Sequence, residues 1–332
     1  MKTDESKLAP IVLFVYNRPW HTQQTVEALL ANELAKESIL YVFADGAKPG
    51  ANAEVIDGIC KTREYIHQIS GFKSIYVEEA ETNKGLANSV IRGVSKVIDL
   101  YGKAIVLEDD LITNKFFLRF MNEALEFYQD DMRLFMVSGC NYDFKIPNWY
   151  EKDVYIAHRS CSTGWGTWKN RWDLADWDMR DYDEFKKDAS QVAKFCRGGD
   201  DMFPMLEEQI GGKIDSWAIR WDYCMYKHDA FCLRTVKTLV NNIGFDGSGV
   251  HCGNQEVGMA PNYDYPLYQI EMIRGIKAIP GIDRIYKKHY SPRDKNGLSL
   301  YKKKLKSFAK MFLKSILLPF FVFIEFEFFV GF

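Results

Sequence analysis

The alternation of strand and helix patterns along residues 11–128 is the feature that most constrains the fold of this chain. Apolar runs with the length of buried strands occupy residues 11–16, 39–43, 73–77 and 104–108. Segments with helical spacing occupy residues 18–30, 53–69, 86–100 and 116–128. Such alternation is typical of a mostly parallel sheet with helices on both faces. We therefore predict an α/β fold.

Three adjacent carboxylates, Glu108, Asp109 and Asp110, follow the fourth apolar run. Hard divalent cations take oxygen ligands and often keep phosphate oxygens as partners, so this cluster suits Mg²⁺ or Mn²⁺ holding a diphosphate. A second interpretation is a strand that ends in acidic residues, with Asp110 or Thr113 capping the next helix. The three residues alone leave both interpretations open.

Composition narrows the class of protein. The chain has 332 residues, of which 47% are hydrophobic, so it can bury a full core in one large domain or two small ones. Its net charge of -2 argues against a dedicated nucleic-acid binder, and we expect no nucleic-acid partner. Its seven cysteines form no CxxC pair, and residues 1–9 are polar without an apolar signal core. We expect reduced thiols and a cytoplasmic location.

Beyond residue 137 the pattern becomes irregular and rich in tryptophan. Six of the eight tryptophans lie between Trp165 and Trp221. Flat indole faces bind sugars, but large aromatic side chains in an irregular segment more often fill a core. We favour the core interpretation.

The ordered motifs over residues 8–252 resemble a nucleotide-sugar glycosyltransferase with the Rossmann-like GT-A fold, in the broad family-2-like group. The strand with its Glu-Asp-Asp ending is similar to that of the GlcNAc-transferases that initiate complex N-glycans. The resemblance implies a nucleotide-binding half at 8–137, an acceptor-binding half at 138–252 and an extension at 253–300. It also implies metal-dependent, inverting transfer of a hexosyl or N-acetylhexosaminyl group from a nucleoside diphosphate sugar, most often a UDP-sugar.

Three residues match the family's site for the nucleotide base. Tyr16 and Arg18 follow the first strand, where a strand end beside a helix N-terminus forms a nucleotide crevice. Asp45 matches the family's base-recognising aspartate, whose carboxylate accepts the imide N–H of uracil. An exposed helix start for Arg18 and a solvated Asp-Gly turn for Asp45 remain open.

Other residues match positions that lie near the donor diphosphate in the family. Lys84 and Arg92 lie at the start of the helix that faces the diphosphate in the family, where a cation can neutralise phosphate charge. In the carboxylate cluster, the resemblance implies Asp110 as direct metal ligand and Asp109 facing ribose or metal-bound water. His251 ends a glycine-rich loop and matches a histidine that completes the metal shell or touches the diphosphate, although a lone histidine is as often structural.

Two segments resemble those that bind the acceptor in the family. Residues 162–168 resemble the family's glycine-and-tryptophan acceptor loop, in which Gly164 and Trp165 would contact a sugar. Residues 214–222 resemble the carboxylate-plus-tryptophan segment, in which Trp217 would also contact substrate.

The second of these segments also offers the catalytic base, because inverting transfer needs a carboxylate near the acceptor hydroxyl. Asp215 is the first choice, since it begins the segment at an expected helix N-terminus. Asp222 is the alternative, and it could instead form a buried ion pair with Arg220 or Arg234.

Two other functions compete with this interpretation. A sugar-phosphate nucleotidyltransferase normally has a glycine-rich loop after its first strand, and residues 16–22 contain no glycine. A non-catalytic nucleotide or carbohydrate-binding protein would not need the carboxylates at 108–110 and 215, so their presence argues against it.

The last 32 residues differ from the rest of the chain. Six lysines between Lys302 and Lys314 precede the apolar run 316–324, which Glu325 and Glu327 keep shorter than a membrane span. We predict a helical tail, residues 301–332, that lies on the anionic inner face of the cell membrane and fits a role in surface polysaccharide or lipopolysaccharide synthesis. The alternative is a C-terminal helix docked on the protein or on another subunit.

Truncation after Leu300 tests the tail. Because each lysine contributes about 1 kcal/mol near an anionic surface, the full chain should co-sediment with anionic liposomes at low salt and much less at high salt. The truncated chain should remain folded, act on soluble acceptor analogues and lose vesicle binding. Equal pelleting of the two chains would contradict the membrane interpretation, and loss of folding would favour the docked helix.

Overall fold

The structure is a computed structural model that describes residues 8–141, 145–247, 268 and 270–291. Its strands are β1 Ile11–Val15, β2 Ile39–Ala44, β3 Ser74–Glu79, β4 Lys103–Glu108, β5 Leu111–Thr113, β6 Leu134–Ser138, β7 Val154–Ala157, β8 Trp165–Trp168, β9 Phe231–Thr235 and β10 Val240–Asn242. Its α-helices are α1 Pro19–Leu30, α2 Ala53–Ile66, α3 Leu86–Tyr101, α4 Phe117–Phe127, α5 Lys169–Trp172, α6 Tyr182–Phe185, α7 Ala189–Phe195, α8 Met202–Ile210, α9 Trp217–Lys227 and α10 Ile282–Tyr290.

Eight strands form the central sheet in the order β3-β2-β1-β4-β8-β6-β9-β7. The first four are parallel, β8 is antiparallel to both of its neighbours, β6 and β9 are parallel, and β7 is antiparallel to β9. All five residues of β1 are buried, as expected for a strand covered on both faces. The predicted α/β class with a mostly parallel sheet is confirmed, and the carboxyl ends of β1, β2 and β4 share one edge.

A second sheet of two short strands lies beside this edge. β5 follows the carboxylates directly and pairs antiparallel with β10, so that Asn242 lies opposite Leu111 and Val240 opposite Thr113. The sequence analysis did not identify either strand, because a three-residue strand has too few residues to show a period. The pairing brings the segment after β10 against the end of β4.

The tryptophans of the second half form a buried stack. The rings of Trp165 and Trp217 are 4.6 Å apart and nearly parallel, and those of Trp172 and Trp221 are 5.1 Å apart. Trp168 donates its indole N–H to the carbonyl oxygen of Leu125 at 2.8 Å. The core interpretation of these aromatic residues is confirmed.

The described part of the expected extension packs on the main sheet. α10 lies against β7, with the Tyr286 hydroxyl 3.2 Å from that of Tyr155 and accepting a 2.7 Å hydrogen bond from Arg234. His158 Nδ1 lies 2.9 Å from a carboxylate oxygen of Asp283. Residues 253–267, the predicted tail 301–332 and His251 lie outside the described residues. None of the helices in the described part of the chain is both long and apolar enough to cross a membrane.

Candidate active site

A cleft of about 280 Å³ opens at the carboxyl ends of β1, β2 and β4. Ligands of open α/β sheets bind in such crevices. Its walls include most of the predicted donor-site residues and the first-choice base: Tyr16, Arg18, Asp45, Glu108, Asp109, Asp110 and Asp215. Asn83, Gly85 and Leu86, at the start of α3, also line it.

Strand pairing brings Arg18 to the carboxylate cluster. Phe14 of β1 lies opposite Glu108 of β4, so the residues that follow the two strands meet at the sheet edge. One terminal nitrogen of Arg18, Nη2, donates to Oδ1 of Asp109 and to Oδ2 of Asp110, the latter at 2.9 Å. Arg18 directly precedes Pro19, the first residue of α1, and proline at this position pre-organises the helix start.

Thr25, one of the buried residues of α1, fixes the turn that carries the carboxylates. Its hydroxyl donates to the carbonyl oxygen of Asp109 at 2.9 Å and accepts from the amide of Leu111 at 3.1 Å. The turn between β4 and β5 is therefore held from both sides.

The cluster holds three carboxyl groups against the single guanidinium of Arg18. Burial raises the pKa of Glu108 to about 8, and the neighbouring charges of Asp110 and Asp109 add to this rise. Burial also raises the pKa of Asp109, although Arg18 opposes it. Burial alone would lower the pKa of Arg18, but the two aspartates together outweigh that effect and raise it. Three crowded carboxylates thus stand beside one guanidinium.

The chemistry of these donors fits a hard divalent cation. They are carboxyl oxygen atoms, the ligand type that Mg²⁺ or Mn²⁺ prefers. Among the described residues, no three or more His, Cys, Asp or Glu side chains are arranged so that they could hold a metal ion by themselves. A cation bound by Asp109 and Asp110 would need further oxygen ligands and would have to displace Arg18, which now contacts both carboxylates.

The segment after β10 closes over Asp110. The amide of Ile243 donates to the carbonyl oxygen of Asp110 at 2.9 Å, and Asn242 Nδ2 lies 3.5 Å from Oδ1 of Asp110. A side-chain carbon on Gly244 would lie 2.2 Å from Oδ2 of Asp110, so only glycine allows this approach. The predicted glycine-rich loop therefore starts against the carboxylate cluster.

Asp45 is fully engaged by its own loop. Its Oδ1 accepts from the amides of Gly46 and Lys84, both at 2.8 Å, and its Oδ2 accepts from Asn83 Nδ2 at 2.9 Å and from the amide of Gly85 at 3.2 Å. A carboxylate offers about four acceptor sites. In this structure Asp45 shapes the turn into α3, and a base imide would have to share an occupied oxygen.

Asp215 lines the cleft from the segment before α9. Its Oδ2 accepts from the amide of Ala87, in the first turn of α3, at 3.3 Å, and its Oδ1 accepts from Arg220 at 3.1 Å. Gly85 has φ of +79°, and a side-chain carbon there would lie 2.8 Å from Oδ2 of Asp215. The side chain of Asp215 remains 46% exposed, so an incoming hydroxyl can reach it.

Asp222, the alternative base, lies inside the protein. It is buried on α9 and accepts a 2.6 Å hydrogen bond from the amide of Ser160. Burial raises its pKa to about 6, although the charge of Arg159 opposes this rise. Arg220 instead pairs with Asp215, and Arg234 donates to Cys140, Cys161 and Tyr286, so neither expected ion pair of Asp222 forms.

Several predicted site residues lie outside the cleft wall. Trp165 and Trp217 are 1% and 2% exposed, and Gly164 is buried against Phe117, so none of the three presents a surface to a sugar in this structure. Lys84 and Arg92 are exposed and absent from the lining. Lys84 contributes its backbone amide, which donates to Asp45.

The cleft also contains residues that the sequence analysis did not single out. Lys48 and Ser89 line it, and His21 Nε2 lies 3.1 Å from Oδ2 of Asp246 beside the carboxylate cluster. His21 lies three residues after Arg18 in the first turn of α1, a spacing that could have indicated it.

Replacing Asp222 by Asn tests the buried role of this carboxyl group. Because its pKa is higher in the folded chain than in the unfolded chain, the folded state holds its proton more tightly between about pH 4 and about pH 6. The free energy of unfolding of the wild type should therefore fall, relative to Asp222→Asn, by about 2 kcal/mol as pH rises through this window. Urea unfolding of both proteins measures it, and a difference independent of pH would contradict the buried role.

No protein-family model matches this sequence, and no curated protein does either. Among solved structures, the chain is similar to the mannosyltransferase PcManGT from Pyrobaculum calidifontis in complex with GDP-Man and Mn²⁺, with 8% identity and a TM-score of 0.33 over 51% of this chain and 47% of that one. It is similar to S. aureus TarS, with 14% identity and a TM-score of 0.33 over 50% of this chain and 30% of that one. It is also similar to a UDP-glucose pyrophosphorylase complexed with UDP-glucose, with 9% identity and a TM-score of 0.28 over 50% of this chain and 79% of that one. The chain thus spans less than half of the first two proteins, and likenesses at this level identify no family for it.

Proposed function

We propose that this protein is a metal-assisted, inverting glycosyltransferase that moves a sugar from a nucleoside diphosphate sugar, with UDP as the favoured nucleotide, to a hydroxyl of a glycan or lipid-linked acceptor. One observation carries the proposal. A single cleft at the carboxyl ends of parallel strands is lined both by the three carboxyl groups of residues 108–110 with Arg18 and by the half-exposed Asp215. The reaction needs both: oxygen ligands for a cation that neutralises the leaving diphosphate, and a carboxylate that takes the proton of the acceptor hydroxyl.

The donor half of the proposal rests on the wall built by β1 and β4. The nucleotide would lie along Tyr16 and the end of β1, with its diphosphate toward Arg18 and Asp110. Lys48 adds a cation to this wall. A divalent metal held by Asp110 and Asp109 would supply charge neutralisation for the leaving diphosphate.

The acceptor half rests on Asp215. Its carboxylate would take the proton of the acceptor hydroxyl while that oxygen attacks the anomeric carbon and the bond from this carbon to the diphosphate oxygen breaks. Arg220 and the amide of Ala87 hold both carboxylate oxygens, so the group is fixed before the substrate arrives. The type of sugar and the linkage are left open.

A nucleotidyltransferase fits the cleft less well. The chain passes from β1 into α1 through three residues, Tyr16 to Arg18, without a glycine that could wrap a triphosphate. A non-catalytic binding protein would bind nucleotide in the same cleft without turnover. Incubation with nucleotide sugars, Mn²⁺ and acceptors separates this alternative from the enzyme, because only the enzyme releases nucleoside diphosphate.

Asp110→Ala tests the metal half. Loss of a direct oxygen ligand should weaken Mn²⁺-dependent UDP binding by about 100-fold, since even indirect ligand partners contribute 10- to 100-fold. Calorimetric titration of UDP with and without Mn²⁺ measures this effect. Asp57→Ala removes an exposed carboxylate of α2 and should leave binding unchanged. If Mn²⁺ strengthens UDP binding to Asp110→Ala as much as to the wild type, Asp110 is not a metal ligand.

Asp215→Asn tests the base. The amide keeps the size of the side chain but cannot take a proton, so transfer should fall by about 100-fold or more while donor affinity stays nearly constant. Asp222→Asn serves as the matched variant from the same segment and should retain activity near neutral pH. Near-normal transfer by Asp215→Asn together with a large loss in Asp222→Asn would move the role to Asp222.

A further inference from the structure

Arg18 occupies the carboxylate oxygens that a metal would need. Its Nη2 contacts Asp109 and Asp110 at once, and the side chains of both aspartates are about 5% exposed. Oδ2 of Asp110 is approached by Arg18 on one side and by Gly244 on another, and Oδ1 is next to Asn242. A cation can therefore reach Oδ2 of Asp110 only after the guanidinium has moved.

Arg18 is nevertheless incompletely paired. Its second terminal nitrogen, Nη1, is buried and has no hydrogen-bond partner among the described residues. A buried donor left without a partner costs about 1–3 kcal/mol, more when it is charged. The guanidinium, with five N–H groups in a planar fork, is suited to an anion that can accept from several of them, as a phosphate does.

We propose that Arg18 is an exchangeable counter-ion: it neutralises Asp109 and Asp110 while the cleft is empty, competes with the divalent cation for Asp110, and transfers to the donor diphosphate when donor and metal enter together. This inference rests on the proposed function. Arg18 has two partners in turn: the carboxylates of Asp109 and Asp110 while the cleft is empty, and the diphosphate once the donor is bound. The metal site is therefore weak until the diphosphate is present.

Arg18→Met separates this role from a structural one, because the two expected effects have opposite signs. The variant removes the competitor, so Mn²⁺ alone should bind about 10-fold more tightly than to the wild type. It also removes a diphosphate partner, so UDP without metal should bind about 10-fold more weakly. A purely structural role would weaken both. Calorimetric titration of the full chain with MnCl₂ alone and with UDP alone gives the two constants.

Lys61→Met is the control, since it removes an exposed positive charge of α2 that pairs with Asp57 and does not line the cleft. Its Mn²⁺ affinity should change by less than about 2-fold, because a distant exposed charge is screened. An increase equal to that of Arg18→Met would show a general charge effect and overturn the inference.

A second comparison covers the case in which Arg18→Met does not fold. Asp109→Asn and the double variant Arg18→Met with Asp109→Asn differ only in Arg18, and competition predicts tighter Mn²⁺ binding by the double variant. Equal Mn²⁺ affinity with and without Arg18 would overturn the inference and leave the proposed function standing. Failure of the wild type to bind Mn²⁺ even with UDP present would overturn both.

Discussion

The contact of Arg18 with Asp109 and Asp110 is the interaction on which the cleft depends. It exists because β1 and β4 are parallel neighbours in register, so that Arg18, three positions past Val15, meets the carboxylates that follow β4. Breaking such a buried pair on one side leaves an uncompensated charge, which typically costs about 3–5 kcal/mol. In the proposed function the carboxylates that hold Arg18 in the empty cleft would also bind the divalent cation, so stability and the proposed activity would depend on the same three side chains.

The centre of the parallel sheet could be predicted from the sequence because β1 and β4 are buried on both faces. A strand of this kind is a continuous apolar run, and the runs at β1 and β4 needed no knowledge of the tertiary fold to be recognised. The carboxylates of residues 108–110 could be predicted for the same reason, since their place at a strand end fixes them at the sheet edge. Element ends were less certain: α2 stops at Ile66, three residues before the predicted end.

The acceptor side was harder to predict because burial there depends on contacts between distant segments. Trp165 and Trp217 are 52 positions apart and stack only because β8 and α9 meet. Asp215 and Asp222 belong to one segment, yet Ser216 caps α9 between them, so Asp215 remains outside the helix while Asp222 faces the interior. The serine before Trp217 was the local signal for that boundary.

The α3 helix links the two halves of the proposed reaction. Asp45 holds the turn at Lys84 and Gly85 on the donor side, and two residues later the amide of Ala87 holds Asp215 on the acceptor side. A shift of this turn would move the hydrogen-bond donors of both Asp45 and Asp215 together. The amide of Gly85 donates to Asp45, and Gly85 lies close to the carboxylate of Asp215. In the proposed reaction, the position of the bound donor and that of the base would thus be coupled through a few backbone atoms, and a side-chain carbon on Gly85 would collide with Asp215.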